Sequence, residues 1–274
     1  MLRRLLFCCL AALSLTFPPP EEAPPVHLPV LMYHNLRWEK TGKDVITPAE
    51  FESDLRWLRQ EGYTAVTMGA VISFVLEGTP LPEKPVVLSF DDGFRSALDT
   101  ALPLLREYEM PMVLSVIGKS ADEVSAYPEE TRFVHASWPQ LRELADSGLV
   151  ELQNHSYDLH RTDGGAAGCL PRPGEDREAY GERLGQDALR TQERVLQETG
   201  QLPAVFTYPY GAYDGLSESV LRELGFRATL TCDFGLNLLS RDPECLFAMK
   251  RICRSHGADL AGLLEKAENS LNWR

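Results

Sequence analysis

The chain has 274 residues, of which 44% are hydrophobic and 24% charged. These are ordinary globular values and exclude disorder, collagen and coiled coil. Lys and Arg number 27 against 40 Asp and Glu, a formal charge of −13, which argues against nucleic acid as a partner and against a polybasic membrane-surface role, because neutralising phosphates takes an excess of cations.

Residues 1–17 read MLRRLLFCCLAALSLTF. Arg3 and Arg4 form a basic start and Leu5 to Phe17 an apolar run, shorter than the roughly 20 residues of a spanning helix. This predicts a secretory signal or an N-terminal anchor. The Pro/Glu stretch that follows reads as a stiff linker. The division is therefore 1–25 for signal or anchor plus linker and 26–274 for one domain. No second membrane span follows, and a monomer in the cell envelope or outside the cell is expected. Beyond Cys8 and Cys9 there are Cys169, Cys232, Cys245 and Cys253. In an oxidising compartment these allow three pairings. Cys232 and Cys245 bracket a loop and could staple it; buried free thiols are the alternative.

In chain order, Val26–Tyr33 reads as a strand. Thr47-Pro48-Ala49-Glu50 is a helix start, with Thr47 as cap, Pro48 at the first helical position and Glu50 closing a capping box. Phe51, Leu55 and Leu58 share a face before Gly62. Tyr63–Thr67 is a strand and Ala70–Glu77 a helix. Pro85–Phe90 is a strand, followed by a helix over Arg95–Tyr108 kinked by Pro103. Met112–Ile117 is a strand. Ser137-Trp138-Pro139-Gln140 opens a helix, and Leu149–Asn154 is a strand. Arg161–Glu175, rich in Gly and Pro, reads as a surface insertion. Asp176–Thr199 is a long helix. Three further strands, Ala204–Tyr208, Phe226–Thr231 and Phe247–Ile252, are interleaved with helices at Ser217–Leu224 and Asp259–Ala267. About eight strands alternating with helices imply parallel pairing and right-handed crossovers. A closed or nearly closed (β/α) barrel is the first reading and an open doubly wound sheet the second.

In such a barrel the chemistry gathers where strands end. The first strand ends in Tyr33-His34, the Pro85 strand in Asp91-Asp92-Gly93, and the Leu149 strand in His155, with Asp158 and His160 beyond. The Ala204 strand ends in Tyr208-Pro209-Tyr210-Gly211. The last strand carries Lys250 and Arg251, with Arg254 and His256 beyond. Adjacent carboxylates repel unless a cation or hydrogen bonds compensate, so Asp91 and Asp92 are expected to divide metal binding and proton transfer. His155 and His160 are five apart and do not share a helical face; they converge only if the segment bends. One carboxylate and two imidazoles leave open positions on a metal, as a catalytic site requires.

Together these segments resemble the polysaccharide deacetylases of carbohydrate esterase family 4. Ser89-Phe90-Asp91-Asp92-Gly93 is similar to the family's first motif, His155-Ser156 with His160 to its second, and Pro209-Tyr210-Gly211 to its third. Pro29-Val30-Leu31-Met32-Tyr33-His34 and the His-x4-His spacing resemble the branch of poly-N-acetylglucosamine deacetylases. The resemblance implies a distorted (β/α) barrel and hydrolysis of N-acetyl groups from an N-acetylglucosamine polysaccharide. It implies Asp91 as general base and Asp92, His155 and His160 as ligands of one divalent ion, zinc first, with Co2+, Ni2+, Fe2+ or Mn2+ as alternatives. It also implies the backbone N–H of Tyr210 as an oxyanion donor. Two positions depart from the family pattern. Thr207 stands where many members carry an Arg that orients the base, and Arg251 could replace it. The only His after the third motif, His256, is the candidate acid although its spacing matches poorly; His34 and His135 are the alternatives. An O-acetyl esterase acting on xylan, a phosphoesterase and a non-catalytic glycan-binding module are the rival readings.

Overall fold

Seven parallel strands close on themselves in the computed structural model, which describes residues 25–127 and 134–271. The signal or anchor and all but the last residue of the linker lie outside the described residues. The barrel strands are β1 (Val30–Tyr33), β2 (Pro85–Phe90), β3 (Met112–Val116), β4 (Val150–Asn154), β5 (Val205–Thr207), β6 (Ala228–Phe234) and β7 (Met249–Cys253). Neighbours run β1-β7-β6-β5-β4-β3-β2, and β2 pairs back onto β1 through Val30↔Val87 to Tyr33↔Phe90. A short strand, Thr64–Ala65, adds in parallel to the start of β2. The distorted (β/α) barrel expected from the alternation is the observed fold, in one domain.

Side chains alternate along each strand, and this alternation builds the interior in layers. Val30, Val87, Val113, Val205, Leu230 and Met249 share one buried cluster near the strand starts. Two residues further along stand polar or soft groups: Met32, Ser89, Ser115, Thr207, Cys232 and Arg251. Two further again come His34, Asp91 and Cys253. Each strand thus moves from an aliphatic floor to a chemical rim. Helix α2 (Met68–Glu77) packs Met68, Val71 and Val75 into the aliphatic layer and covers that end. The other strand face turns outward to the helices: Tyr33 and Phe90 stack at 5.0 Å, and Phe51 of α1 (Pro48–Gln60) meets both edge-on at 5.2 and 5.3 Å.

The capping box at Thr47 forms as predicted, with the Thr47 hydroxyl accepting from the Glu50 N–H and the Thr47 N–H donating to Glu50 Oε2. Four local expectations need correction. The first strand is broken at Pro29, which has no N–H to give a ladder. Val26–Leu28 instead pairs antiparallel with Asn237–Leu239, a strand absent from the sequence-based expectation. Pro103 does not kink a single helix. A π-type turn at Ala97–Ala101 precedes α3 (Leu102–Tyr108), and the Leu102 N–H reaches back to the Ala97 carbonyl. Helix α4 (Gly118–Ala126) carries no sequence signal at its start, which is a glycine with no side-chain cap. The remaining helices are α5 (Trp138–Asp146), α6 (Arg177–Thr199), α7 (Gly215–Glu223) and α8 (Leu260–Asn269). All four cysteines are free, so the Cys232–Cys245 staple is absent.

Candidate active site

Asp91 and Asp92 follow β2 directly and take opposite directions. Asp91 continues the strand and is buried at 2% exposure. Asp92 has φ +71, a left-handed conformation unusual for a non-glycine residue. Ser156, after His155, has φ +69, and Tyr210 has φ +60. Of the six described non-glycine residues with positive φ, these three lie together at the strand ends. Backbone strain collects where the surrounding fold over-determines it, and here it turns side chains toward one point.

That point is Asp92 Oδ1. It lies 3.4 Å from His155 Nε2 and 3.3 Å from His160 Nε2. It is buried, yet hydrogen-bonded to neither ring. The other nitrogen of His155, Nδ1, is 2.8 Å from the carbonyl oxygen of Thr207. That contact fixes the ring and presents Nε2 to Asp92. An orphaned buried carboxylate oxygen facing two imidazole nitrogens is an arrangement that could hold a divalent ion. The one group of three His, Cys, Asp or Glu side chains able to hold a metal among the described residues is Asp92, His155 and His160.

The bend between the two histidines is held from outside the loop. Asn154 Oδ1 accepts the Ser156 N–H at 2.9 Å. Asp187, on α6, accepts the N–H of Tyr157 at 2.7 Å and of Asp158 at 2.8 Å, one on each oxygen. No sequence signal marks Asp187, because an acid in mid-helix reads as a solvated face. Asp158 itself turns away from the cluster and pairs with Lys119 and Arg161.

Asp91 sits in a different environment. Arg251, fully buried on β7, grips it with two parallel bonds, Nη1–Oδ1 at 2.7 Å and Nη2–Oδ2 at 2.8 Å. The guanidinium also donates to Ser89 Oγ at 3.0 Å and to the Thr231 carbonyl at 2.6 Å. Burial alone would raise the Asp91 pKa. The Arg251 charge, aided by His155, its own bonds and His34, overcomes this and holds the carboxyl well below the usual range. Thr207, at the place of the motif's Arg, bonds Ser115 Oγ at 2.7 Å and orients His155 through its carbonyl.

A cavity of about 540 Å3 opens over this group, walled by His34, Asp91, Asp92, His155, His160 and Tyr210 among others. His34 Nε2 is 3.9 Å from Asp91 Oδ2. Tyr210 is 53% exposed, and its ring lies 4.4 Å from that of His160. Its hydroxyl donates to the His160 carbonyl at 3.0 Å. Pro209 is buried and opens the short turn Pro209–Gly211. Gly211 has φ +67, and a Cβ there would stand 2.6 Å from Cys232 Cβ, so the turn admits no side chain. A second cavity of about 380 Å3 shares Asp92 and His160 and includes His135, whose ring stacks on Phe94.

The structure does not bring His256 to the cluster. Its Nδ1 bonds Glu50 Oε2 at 2.8 Å, and its N–H donates to the Gly42 carbonyl. The chain beyond β7 turns outward to meet the α1 cap, so the acid expected from sequence order is a loop anchor.

Residues 78–229, more than half of the chain, match the model of the polysaccharide deacetylase family. The chain is 28% identical to the poly-β-1,6-N-acetyl-D-glucosamine N-deacetylase of Escherichia coli K12, over 96% of its own length and 44% of that protein's. It therefore spans less than half of that curated relative. Among solved structures, a de-N-acetylase from Aggregatibacter actinomycetemcomitans superposes with a TM-score of 0.73 at 25% identity, covering 87% of this chain and 100% of that one. The BpsB deacetylase domain from Bordetella bronchiseptica gives 0.68 at 27% identity, covering 87% and 98%.

Proposed function

Because the chain belongs to the polysaccharide deacetylase family, we propose that it hydrolyses N-acetyl groups from a poly-N-acetylglucosamine chain of the β-1,6-linked type named for its Escherichia coli relative. The observation that carries this reading is the division of labour between the two adjacent carboxylates. Asp92 faces two imidazoles with an unsatisfied oxygen, and Asp91 is held apart by Arg251.

Asp92, His155 and His160 would hold one divalent ion, zinc before its neighbours for an O/N/N donor set. Bound there, the ion supplies Lewis acidity toward the amide carbonyl and acidifies a water. The protein's own groups do the rest. Asp91 stays ionised and takes the proton from the attacking water. Arg251 keeps both Asp91 oxygens fixed, so the base is positioned at the expense of some basicity. The N–H of Tyr210 is the proposed donor to the developing oxyanion. An amide nitrogen leaves only when protonated, and His34, in the same cavity and next to Asp91, replaces His256 as the acid. Tyr210, exposed above His160, offers a ring face to the sugar.

Export through residues 1–17 belongs to the same reading; a reporter fusion that scores only in the cytosol would refute it. Among the described residues no helix is long and apolar enough to cross a membrane. The test of function is acetate release from oligomers of β-1,6-N-acetylglucosamine, chitooligosaccharide, peptidoglycan and acetylxylan, with His155→Ala as control. Release from the β-1,6 oligomers, lost in His155→Ala, is expected. Release from acetylxylan alone would transfer the site to O-acetyl esters.

A further inference from the structure

Three sulfur-bearing side chains line one wall of the active-site cavity, and none has a part in the reaction above. Met32, Cys232 and Cys253 come from three neighbouring strands, β1, β6 and β7, and all line the same cavity. Cys232 Sγ lies 3.9 Å from Met32 Sδ. Cys253 is the register partner of Met32 across the parallel β1–β7 pair. Both side chains line the cavity; Cys253 Sγ contacts Ser255 Oγ at 3.7 Å and would leave it to join the other two sulfurs on a shared ion. Neither cysteine is in a disulfide.

We propose that this cluster is a second metal site, selective for soft monovalent cations of the Cu(I) class, and that its occupation switches off the neighbouring base. Thiolate and thioether ligands select Cu(I), whereas carboxylate and imidazole donors suit zinc and its neighbours. The two sites in the cavity therefore differ in the ions they take. The spacing also fits. With metal–sulfur bonds like the roughly 2.3 Å of zinc thiolates, two sulfurs at the 3.9 Å between Cys232 and Met32 stand close enough to share one ion.

Inhibition follows from charge. Each thiol gives up its proton on ligation. One monovalent ion with two thiolates and a thioether carries a net charge of −1, and two protons leave to solvent. Cys232 Sγ is already 3.7 Å from Arg251 Nη2, the nitrogen that donates to Asp91 Oδ2. The new anion would compete with Asp91 for the guanidinium and fill the space beside it.

The test uses the zinc-loaded full chain in a Cys8→Ser/Cys9→Ser/Cys245→Ser background, with Ag(I) as a redox-inert stand-in for Cu(I). Native mass spectrometry counts silver and zinc, and acetate release is scored against each variant's own untreated rate. One silver bound with zinc retained is expected, together with loss of acetate release. Adding Cys232→Ser and Cys253→Ser should weaken silver binding at least 100-fold, and Met32→Leu should weaken it less. Equal silver binding with both cysteines replaced would overturn the site, as would silver that enters only by expelling zinc. The site does not depend on the proposed reaction. Cysteine-dependent silver binding in a chain that releases no acetate from any substrate would support the site and remove the reaction.

Discussion

Arg251 and Asp91, 160 residues apart in sequence, form two parallel hydrogen bonds inside the barrel with both side chains buried. A buried ion pair is a weak source of net stability, but removing one partner leaves an uncompensated charge.

Arg251→Ala should therefore lose about 3–5 kcal/mol of unfolding free energy. The same change made in an Asp91→Asn background should lose much less, because no buried charge is stranded. Urea unfolding of the four proteins measures the difference. Equal losses in both backgrounds would show that the guanidinium acts mainly through packing.

The His155–His160 bend depends on Asp187, which accepts two successive backbone N–H groups of the loop. Asp187→Ala should leave a folded chain whose zinc affinity is weaker by about 10–100-fold, the usual effect of losing a group that orients ligands. Competition with a chromophoric chelator reads the affinity directly. An unchanged affinity would mean that Asn154 alone sets the bend.

His34→Ala should reduce kcat by about 10²–10⁴-fold if it supplies the proton to the leaving amine. His256→Ala should stay within a few fold of wild type, since its ring faces Glu50 and not the cavity. Steady-state kinetics on one oligomer decides between them. A collapse in His256→Ala with an active His34→Ala would reverse the assignment.

Glu50 provides a pH signature away from the metal ligands. Burial pushes its pKa up, but the N–H groups of Gly257 and Thr47, with the His256 and Thr47 side chains, outweigh this and bring it from 4.5 to about 2. A depressed carboxylate contributes stability that is present above the unfolded pKa and is lost as pH falls through the folded one. Between about pH 4.5 and 2, wild type should lose about 1–2 kcal/mol more than Glu50→Gln, a figure reduced for solvent screening. Urea midpoints across that window check it; parallel curves would show that Glu50 is not stabilised by its bonds.

Much of this protein was written locally. Apolar runs alternating with helical patterns implied the barrel, because strands covered on both faces need no polar side and each crossover needs a helix. Asp91, Asp92, His155 and His160 stood out because rare residue types gathered at strand ends. Tertiary structure decided what depends on partners distant in sequence. With Thr207 at the place of the motif's Arg, the sequence pointed to Arg251 as the substitute, but only the fold shows its two-pronged grip on Asp91, since the i, i+2 alternation says which way a side chain faces and not what it meets. His256 was the only histidine left in sequence order, yet chain direction after β7 carried it to Glu50. The contacts of Asp187 with the histidine loop and the Met32–Cys232–Cys253 wall exist only because folding sets distant residues side by side, Met32 and Cys232 being 200 positions apart and Met32 and Cys253 farther still.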